Sequence, residues 1–482
     1  MRPHPHVRAG RARRVAVLGL ALAVLAGCSG CSGVEALTGG GVPAATLPVA
    51  PVEPVEPVEQ DDPAVGTSTA SRPTATSGAP SASTTGGLAP MTSEDLVALA
   101  DRMTDVLRDG SEEEWAALFD LGEEGEEQQR AWYRAVRAVP MTVRELLPSV
   151  VVAADTPEGS VVEVVFAHQV EGADPVPARE SYRLTVRRAP GEEPVITDVD
   201  GFGSADGFPQ LWDLRELDVV VTQSLVVLAP DGREDEVAAV LPGLEAAVAN
   251  VFLDFRTDAP QRLVVQLAGP DDVVAILDDR RWQHPPLGLA IFLPGVDLEG
   301  LEPGGSGVPA ADEHVDRIVV DLDVLAADHA ENGVTPPGGW SVMRHEGVHA
   351  VLDGDPSVSP PIWLWEGVAQ WYGDRRDYVV DPWYADVVER IGVPEELPTS
   401  LDQYYFGSEE ESEAAYAVSA MVFTYLDRTW GFGTARDVGV GLSAADTWYD
   451  DEDVDAVFLE ETGLTFAQFE AAWRDWVAAT YG

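Results

Sequence analysis

The stretch that decides the fold is residues 344–374, RHEGVHAVLDGDPSVSPPIWLWEGVAQWYGD. It contains two histidines, His345 and His349, that are four positions apart in a run that Ser341 can cap as a helix. Residues four apart lie about one turn along the same face of a helix, so both imidazoles project from that face. Two nitrogen ligands in this arrangement suit a tetrahedral zinc ion. The spacing therefore predicts half of a metal site.

Glu346 supplies a second part of the pattern, because it lies between the two histidines and projects to the side of their face. There it can act as a general base without taking a coordination position. The pattern also arises by chance, in roughly one sequence per hundred of this histidine content, so a third ligand is needed. Glu366 follows His349 by seventeen positions, enough for a loop and a return. Gly367 and Ala369 are small, which predicts that the second helix lies close against the first.

Together the two segments resemble the gluzincin peptidases, whose pattern is His-Glu-x-x-His followed on the next helix by Glu-Gly-x-Ala. The nearest resemblance is to peptidase-MA-like domains of secreted bacterial proteins, over roughly residues 217–482, with sharp motifs only at 341–353 and 360–373. The resemblance implies a zinc metallopeptidase that hydrolyses peptide bonds of a peptide or protein substrate. It also implies residue roles: Zn²⁺ bound by His345, His349 and Glu366, with Glu346 as base and later as proton donor.

The donor that holds the reaction's oxyanion is less evident from the sequence. Members of this clan often use a downstream tyrosine or histidine, and no histidine follows His349. Residues 413–433, EAAYAVSAMVFTYLDRTWGFG, occupy the place where these domains carry a tyrosine-containing helix. Tyr416 is therefore the candidate, and an ordinary core tyrosine is the alternative.

Two departures from the family pattern narrow the resemblance. Thermolysin-like gluzincins carry an aspartate four residues beyond the third ligand, where this chain has Gln370, with Asp374 one turn farther on. The Gly-x-Met-Glu-Asn segment of the aminopeptidase branch is absent from the sequence. Neither specificity is therefore implied, whereas the peptidase-MA-like interpretation stands.

Charge excludes one class of partner. The chain has 482 residues with 83 acidic and 30 basic side chains, a formal net charge of −53. Such an excess of negative charge argues against binding nucleic acid or anionic lipid head groups through charge. It suits solubility at high salt or a cationic substrate, and composition does not choose between these.

The N-terminus predicts export and a lipid anchor. Arginines precede an apolar run at 15–25, which is too short to span a bilayer comfortably, and Leu-Ala-Gly-Cys ends at Cys28. This resembles a bacterial lipoprotein signal, which implies removal of residues 1–27, acylation of Cys28 and tethering to the outer face of the cell membrane. Residues 28–90 follow as a tether rich in Pro, Ser and Thr, whose composition does not support a packed core.

Residues 91–213 predict a first α+β domain. Helical periodicity begins near Thr92 and continues in segments at 115–121 and 128–139. Four strands with period-two patterns follow: SVVVAAD, SVVEVVFAHQV, ESYRLTVRRA and EPVITDVDG. Helices followed by a meandering antiparallel sheet resemble the NTF2-like domains. His168, the only histidine of this segment, is interpreted as a satisfied core or surface residue.

Residues 214–482 predict a second α+β domain, with a sheet first and a helical C-terminal half. Its predicted strands include a single one over 217–230 and another over 315–325. The edge of the latter, containing RIVVDLD, could pair with an extended peptide, or the strand could be central.

Three functions compete at this stage. The first is a surface-tethered zinc metallopeptidase. The second is a lipid-anchored binding module whose peptidase scaffold has lost catalysis, and the retained Glu346 argues against it. The third is a zinc hydrolase that acts on non-peptide amides such as cell-wall cross-links. The sequence does not indicate an oligomeric state or a cleavage specificity.

Overall fold

Secondary structure alternates along the chain in the way that the periodicities predict, and the result is a mixed α/β architecture. The computed structural model describes the residues 24–26, 88–153, 156–201, 209–255, 262–277, 287–301, 308–332, 339–352, 361–375, 380–443 and 451–482. The first described element is a three-residue strand, β1 (Val24–Ala26).

Three helices open the continuous part of the chain: α1 (Ser93–Asp109), α2 (Glu112–Ala116) and α3 (Gly122–Ala138). The cap of α1 is Thr92, whose hydroxyl accepts from the Asp95 backbone N–H while the Asp95 carboxylate accepts from that of Thr92. The second and third helices begin earlier than predicted. Ser111 caps α2 through the same reciprocal arrangement with Glu114.

Four antiparallel strands follow, as predicted, and their bounds are β2 (Met141–Ala153), β3 (Ser160–Val170), β4 (Ala178–Arg187) and β5 (Val195–Gly201). The first begins at Met141 rather than at Ser149, because residues before Ser149 already pair with β3. The helices α1 to α3 cover one face of this sheet, and their apolar residues share a core with Leu146 and Phe166.

The next segment forms α4 (Leu211–Leu214), the hairpin β6 (Leu217–Val221) and β7 (Leu225–Pro230), then α5 (Glu234–Phe255), β8 (Leu263–Ala268) and α6 (Pro270–Leu277). The prediction of a single strand over 217–230 was wrong. Thr222 and Leu225 bond to each other across a tight turn, with the Thr222 N–H donating to the Leu225 carbonyl at 2.9 Å. After this turn, α5 carries the chain over the sheet, so that β7 and β8 are parallel.

Two long strands complete the sheet, β9 (Gly288–Val296) and β10 (Ala310–Asp321). The order is β2-β3-β4-β9-β10-β8-β7-β6, with β5 beside β4 and β1 beside β9. The two predicted domains therefore share one sheet, through the pairing of Ala178 in β4 with Gly295 in β9. Their apolar residues also share a core, in which Phe166 and Leu184 join Leu228 and Leu289.

The C-terminal half is helical, as predicted. Its elements are α7 (Leu322–Asn332), α8 (Gly339–Leu352), α9 (Ile362–Asp374), α10 (Asp381–Ile391), a π-helical turn (Asp402–Phe406), α11 (Glu409–Trp430), α12 (Phe432–Ser443), α13 (Asp451–Thr462) and α14 (Phe466–Tyr481). The predicted strand over 315–325 ends early, because the Asp321 carboxylate accepts from the backbone N–H groups of Asp323 and Val324 and starts α7.

Helix α8 is enclosed on every side, since all residues from Trp340 to Leu352 are buried. It lies against β9 and β10, between α5 and α9. Ser341 is inside its first turn rather than at its cap, so that prediction was wrong. Of the described helices, α5 alone is long and apolar enough to cross a membrane by length and composition, and Val240, Leu244 and Val251 on it are buried in the two cores that flank it.

Candidate metal centre

Helices α8 and α9 bring the three predicted metal ligands together. Glu366 Oε2 lies 3.2 Å from His345 Nε2 and 3.7 Å from His349 Nε2, and one ligand atom from each residue falls within a 4.8 Å group. All three side chains are fully or almost fully buried. The structure thus has His345 and His349 one turn apart on α8 and Glu366 beside them on α9, as predicted.

The donor set fits zinc. Ligands about 2.0–2.1 Å from a tetrahedral zinc lie about 3.3 Å from one another, which the two distances to Glu366 Oε2 bracket. Within the described part of the chain, neither nitrogen of His349 makes a hydrogen bond, and neither does His345 Nδ1. Buried polar atoms without a partner are costly, and a bound cation would satisfy those of the imidazoles that face it.

Electrostatics favour the metal-binding protonation states of two of these residues, Glu366 and His349. Burial would raise the pKa of Glu366, but the neighbouring His349 and His345 outweigh it and lower that pKa to about 2. Burial lowers the pKa of His349 to about 4, although Glu366 opposes the shift. At neutral pH the site thus offers a carboxylate and a neutral imidazole, the forms that coordinate metals.

Glu346 lies beside this group, against strand β9. Its carboxylate is buried, and among the described residues neither oxygen makes a hydrogen bond. Burial and then the charge of Glu366 raise its pKa well above the usual range, and the nearby Ala290 N–H offsets the shift only in part. A Cβ on Gly288 would come within 2.4 Å of Val342 Cγ1 and 3.1 Å of Glu346 Cγ and Oε1, so the glycine makes room for the face of α8 that carries both side chains.

One residue of the site was missed by the sequence analysis. Tyr405, in the π-helical turn, donates a hydrogen bond from its hydroxyl group to Glu366 Oε1, with an O···O distance of 2.6 Å. This bond occupies one carboxylate oxygen and leaves Oε2 facing the histidines. A π-helical turn is a recurrent feature of functional sites, but its five residues, DQYYF, carry no pattern that predicts it.

Aromatic rings enclose the ligands. Trp365 stacks on His349, with ring centroids 5.0 Å apart, and Tyr416 packs against His345 with centroids 6.2 Å apart. Tyr416 therefore lies near the metal centre, as its predicted role requires. Its ring is also in edge contact with Tyr404, whose hydroxyl bonds Ser419. The proposed oxyanion role of Tyr416 stays a prediction.

Gly367 acts differently from the prediction. A Cβ on Gly367 would come within 2.7 Å of the Ser419 carbonyl oxygen, so Gly367 allows α9 to lie against α11 rather than against α8. The close approach to α8 is instead at Gly373, where a Cβ would be 2.9 Å from the Ser341 carbonyl. Arg344 reinforces this crossing, donating to the Gly373 carbonyl from Nη2 at 2.6 Å.

The strand that was predicted either to offer a peptide-pairing edge or to be central is β10. β10 pairs with β8 on one side and β9 on the other, so the alternative of a central strand is correct. On the far side of β9, the described pairing of Gly288–Ala290 is with β1 in antiparallel register. The edge nearest Glu346 is therefore the edge of β9.

Other sequence-predicted residues lie elsewhere. His168 is a core histidine that bonds Glu180 at 2.6 Å. Asp218, Asp231 and Glu234 also come together, but they are wholly or partly exposed carboxylates of a kind common without a metal. Cys28 and most of the tether lie outside the described residues.

Comparisons with known proteins add no assignment. A scan of the chain against models of protein families found no match, and a search of curated proteins found none either.

Proposed function

We propose that this chain is a surface-tethered zinc metallopeptidase of the gluzincin type, with a peptidase-MA-like domain over residues 214–482. The observation that carries the proposal is the buried group of His345, His349 and Glu366, together with the adjacent Glu346 carboxylate, whose oxygens make no hydrogen bond to any described residue. A purely structural metal site has no need of that carboxylate, whereas hydrolysis needs a general base.

His345, His349 and Glu366 would hold the ion, and the fourth position would stay open to solvent or substrate. When bound, zinc supplies a Lewis acid that polarises the scissile carbonyl, lowers the pKa of the attacking water toward ~7 and keeps the adjacent carboxylate ionised.

Glu346 takes the proton of the attacking water and later delivers it to the leaving amine. Its position fits this cycle, because both oxygens are free of hydrogen bonds to the described residues. Tyr405 positions the third ligand by holding Glu366 Oε1. Tyr416 is the candidate donor to the oxyanion, and its burial against His345 would exclude water from that side.

The edge of β9 supports a polypeptide substrate. Val24–Ala26 pairs with Gly288–Ala290 in antiparallel register, so this edge accepts an added strand beside α8. We assign residues 1–27 to a removed signal, and in the mature chain the same edge would be open to an extended peptide. Backbone hydrogen bonds would then bind the substrate, with the scissile bond passing Glu346.

The remaining assignments concern location and the first domain. We assign residues 91–213 an NTF2-like fold, supported by helices packed on one face of an antiparallel sheet. Cys28 would carry the lipid that anchors the chain to the outer face of the membrane. A Cys28→Ala variant should leave the membrane fraction while keeping its activity.

Elemental analysis of the purified full chain tests the metal. We expect one zinc ion per chain in the wild type, its loss in Glu366→Ala and its retention in Glu346→Gln. His329→Gln, which alters a histidine on α7, is the matched control and should keep zinc. Failure of the wild type to bind zinc even after reconstitution would remove the proposal.

A peptide-library digest tests the reaction, with Glu346→Gln as the blank. Cleavage by wild type alone is expected. If zinc binds and no peptide is cut, the reaction is not peptide hydrolysis. Two hypotheses then remain: a binding module and a hydrolase of non-peptide amides.

A further inference from the structure

A cavity of about 220 Å³ lies between α1–α3 and the strands β2–β5. None of its lining residues belongs to the metal centre. The volume is below the ~300–1,000 Å³ of pockets for drug-sized ligands, so any occupant is small.

Aromatic rings form much of the cavity wall. They come from Trp115, Phe119, Trp132 and Tyr182. Trp115 and Trp132 are stacked with centroids 5.1 Å apart, and Tyr182 meets Trp132 edge-on at 6.1 Å. The faces of such rings carry negative electrostatic potential and attract cations, above all quaternary ammonium groups.

A buried carboxylate also lines this cavity. Asp213 Oδ1 accepts from Trp132 Nε1 at 2.9 Å and lies 2.8 Å from the Tyr182 hydroxyl, which is also 2.8 Å from Glu180 Oε2. A single hydroxyl proton cannot serve two carboxylates. At least one of the two carboxyls must therefore be protonated for the hydroxyl to bond both, and burial favours the neutral form of each by raising the pKa of Glu180 and of Asp213.

A cation near Asp213 would meet little competition from cationic side chains. No arginine or histidine lines the cavity, whereas Asp198 adds a second, exposed carboxylate to its lining. His168 contacts Glu180, but burial lowers its pKa to about 3, so it is neutral. Arg317, the buried guanidinium of this region, makes two bonds of 2.7 and 2.8 Å to Asp174.

We propose that this cavity binds a small organic cation, an ammonium compound whose charge lies among the aromatic rings and toward Asp213. This site is independent of the proposed peptidase activity.

Choline and 3,3-dimethyl-1-butanol test the role of charge directly. The two compounds have the same size and the same hydroxyl group, but choline has a cationic quaternary nitrogen where the alcohol has a neutral carbon. Titration of the full chain, followed by tryptophan fluorescence and calorimetry, should show saturable choline binding at least ~10-fold tighter than that of the neutral alcohol. Asp198→Asn and Asp213→Asn should reduce this preference. Asp231→Asn changes the net charge equally on an exposed site outside the cavity and should keep it.

Two results would overturn the proposal: no saturable binding of choline, or equal affinity for both compounds. Because Asp213 is buried, its variant is interpreted only if its unfolding transition matches that of wild type. The comparison of the two ligands on wild type needs no variant. Glu346→Gln should bind choline as wild type does, which separates this site from the metal centre.

Discussion

At the scale of the residue, the hydrogen bond from Tyr405 to Glu366 orients the carboxylate that we propose as the third metal ligand. A buried carboxylate with two free oxygens could bind a metal through either or both. The 2.6 Å bond engages Oε1, and Oε2 alone remains near both histidine nitrogens. Partners of this kind raise metal affinity although they never touch the ion.

Replacing Tyr405 by Phe removes this hydroxyl while preserving the ring. We expect zinc affinity to fall by about 10–100-fold, with little change in the unfolding transition, because Tyr405 is only partly buried. Competition with a chelator of known affinity measures the change. Tyr404→Phe is the matched control, because the Tyr404 hydroxyl bonds Ser419 and not a ligand. Equal losses in both variants would mean that the effect is one of packing.

The carboxyl pair of Glu180 and Asp213 predicts how stability depends on pH. Burial raises the pKa of Glu180 from 4.5 to about 8, and that of Asp213 in the same direction. Between pH 4.5 and about 8 this pair therefore holds more protons in the folded chain than in the unfolded chain, and its contribution to the free energy of unfolding falls as pH rises through that interval. His168, whose pKa is lowered from 6.5, acts in the opposite direction only below pH 6.5.

Between pH 6.5 and 8 we therefore expect the carboxyl pair, rather than His168, to determine how this region's contribution to the free energy of unfolding changes with pH. Urea unfolding at a series of pH values should show stability decreasing across that interval in wild type. In Glu180→Gln the decrease should be smaller. A slope that is unchanged in the variant would show that the pair does not hold the extra proton.

At the scale of the element, the contact of α9 with α11 positions the third ligand. Gly367 directly follows Glu366, and the Ser419 backbone lies where a Cβ would be. Gly367→Ala should destabilise the fold by about 1–3 kcal/mol through overpacking and weaken zinc binding by displacing Glu366. Gly433→Ala, in α12 with open space around it, should be neutral or stabilise by at most ~1 kcal/mol. Thermal unfolding and zinc competition compare the two.

Local sequence patterns predicted the helices and strands well, but they predicted the turns and the contacts between distant elements less well. The spacing of His345 and His349 is a property of one helix, so sequence alone could predict it, and Glu366 follows on the next helix. The hairpin at Thr222 was missed because its turn contains neither glycine nor proline. Tyr405 was missed because it meets Glu366 across 39 positions, through the direction of a π-helical turn.

At the scale of the whole molecule, the metal should contribute to stability. The three buried residues converge only in the folded state and are not held in this arrangement in the unfolded chain, so the binding energy of a metal becomes folding energy. With free zinc at 1,000 times its dissociation constant, the gain is about 4 kcal/mol. A chelator should therefore lower the thermal midpoint of wild type, while Glu366→Ala should unfold at one temperature with or without it. An equal shift in both would point to a different binding site.

The pairing of Ala178 with Gly295 limits how this chain can be truncated or recombined with other domains. A polypeptide ending at Asp213 would lose the strand that continues its sheet, and one starting at Leu214 would present a raw edge at β9. Each fragment would also expose its half of the core shared by Phe166 and Leu289. Neither half should therefore be soluble when expressed alone. A recombinant chain that carried a different domain in place of either half would need new residues to pair with the exposed strand and to cover the exposed core.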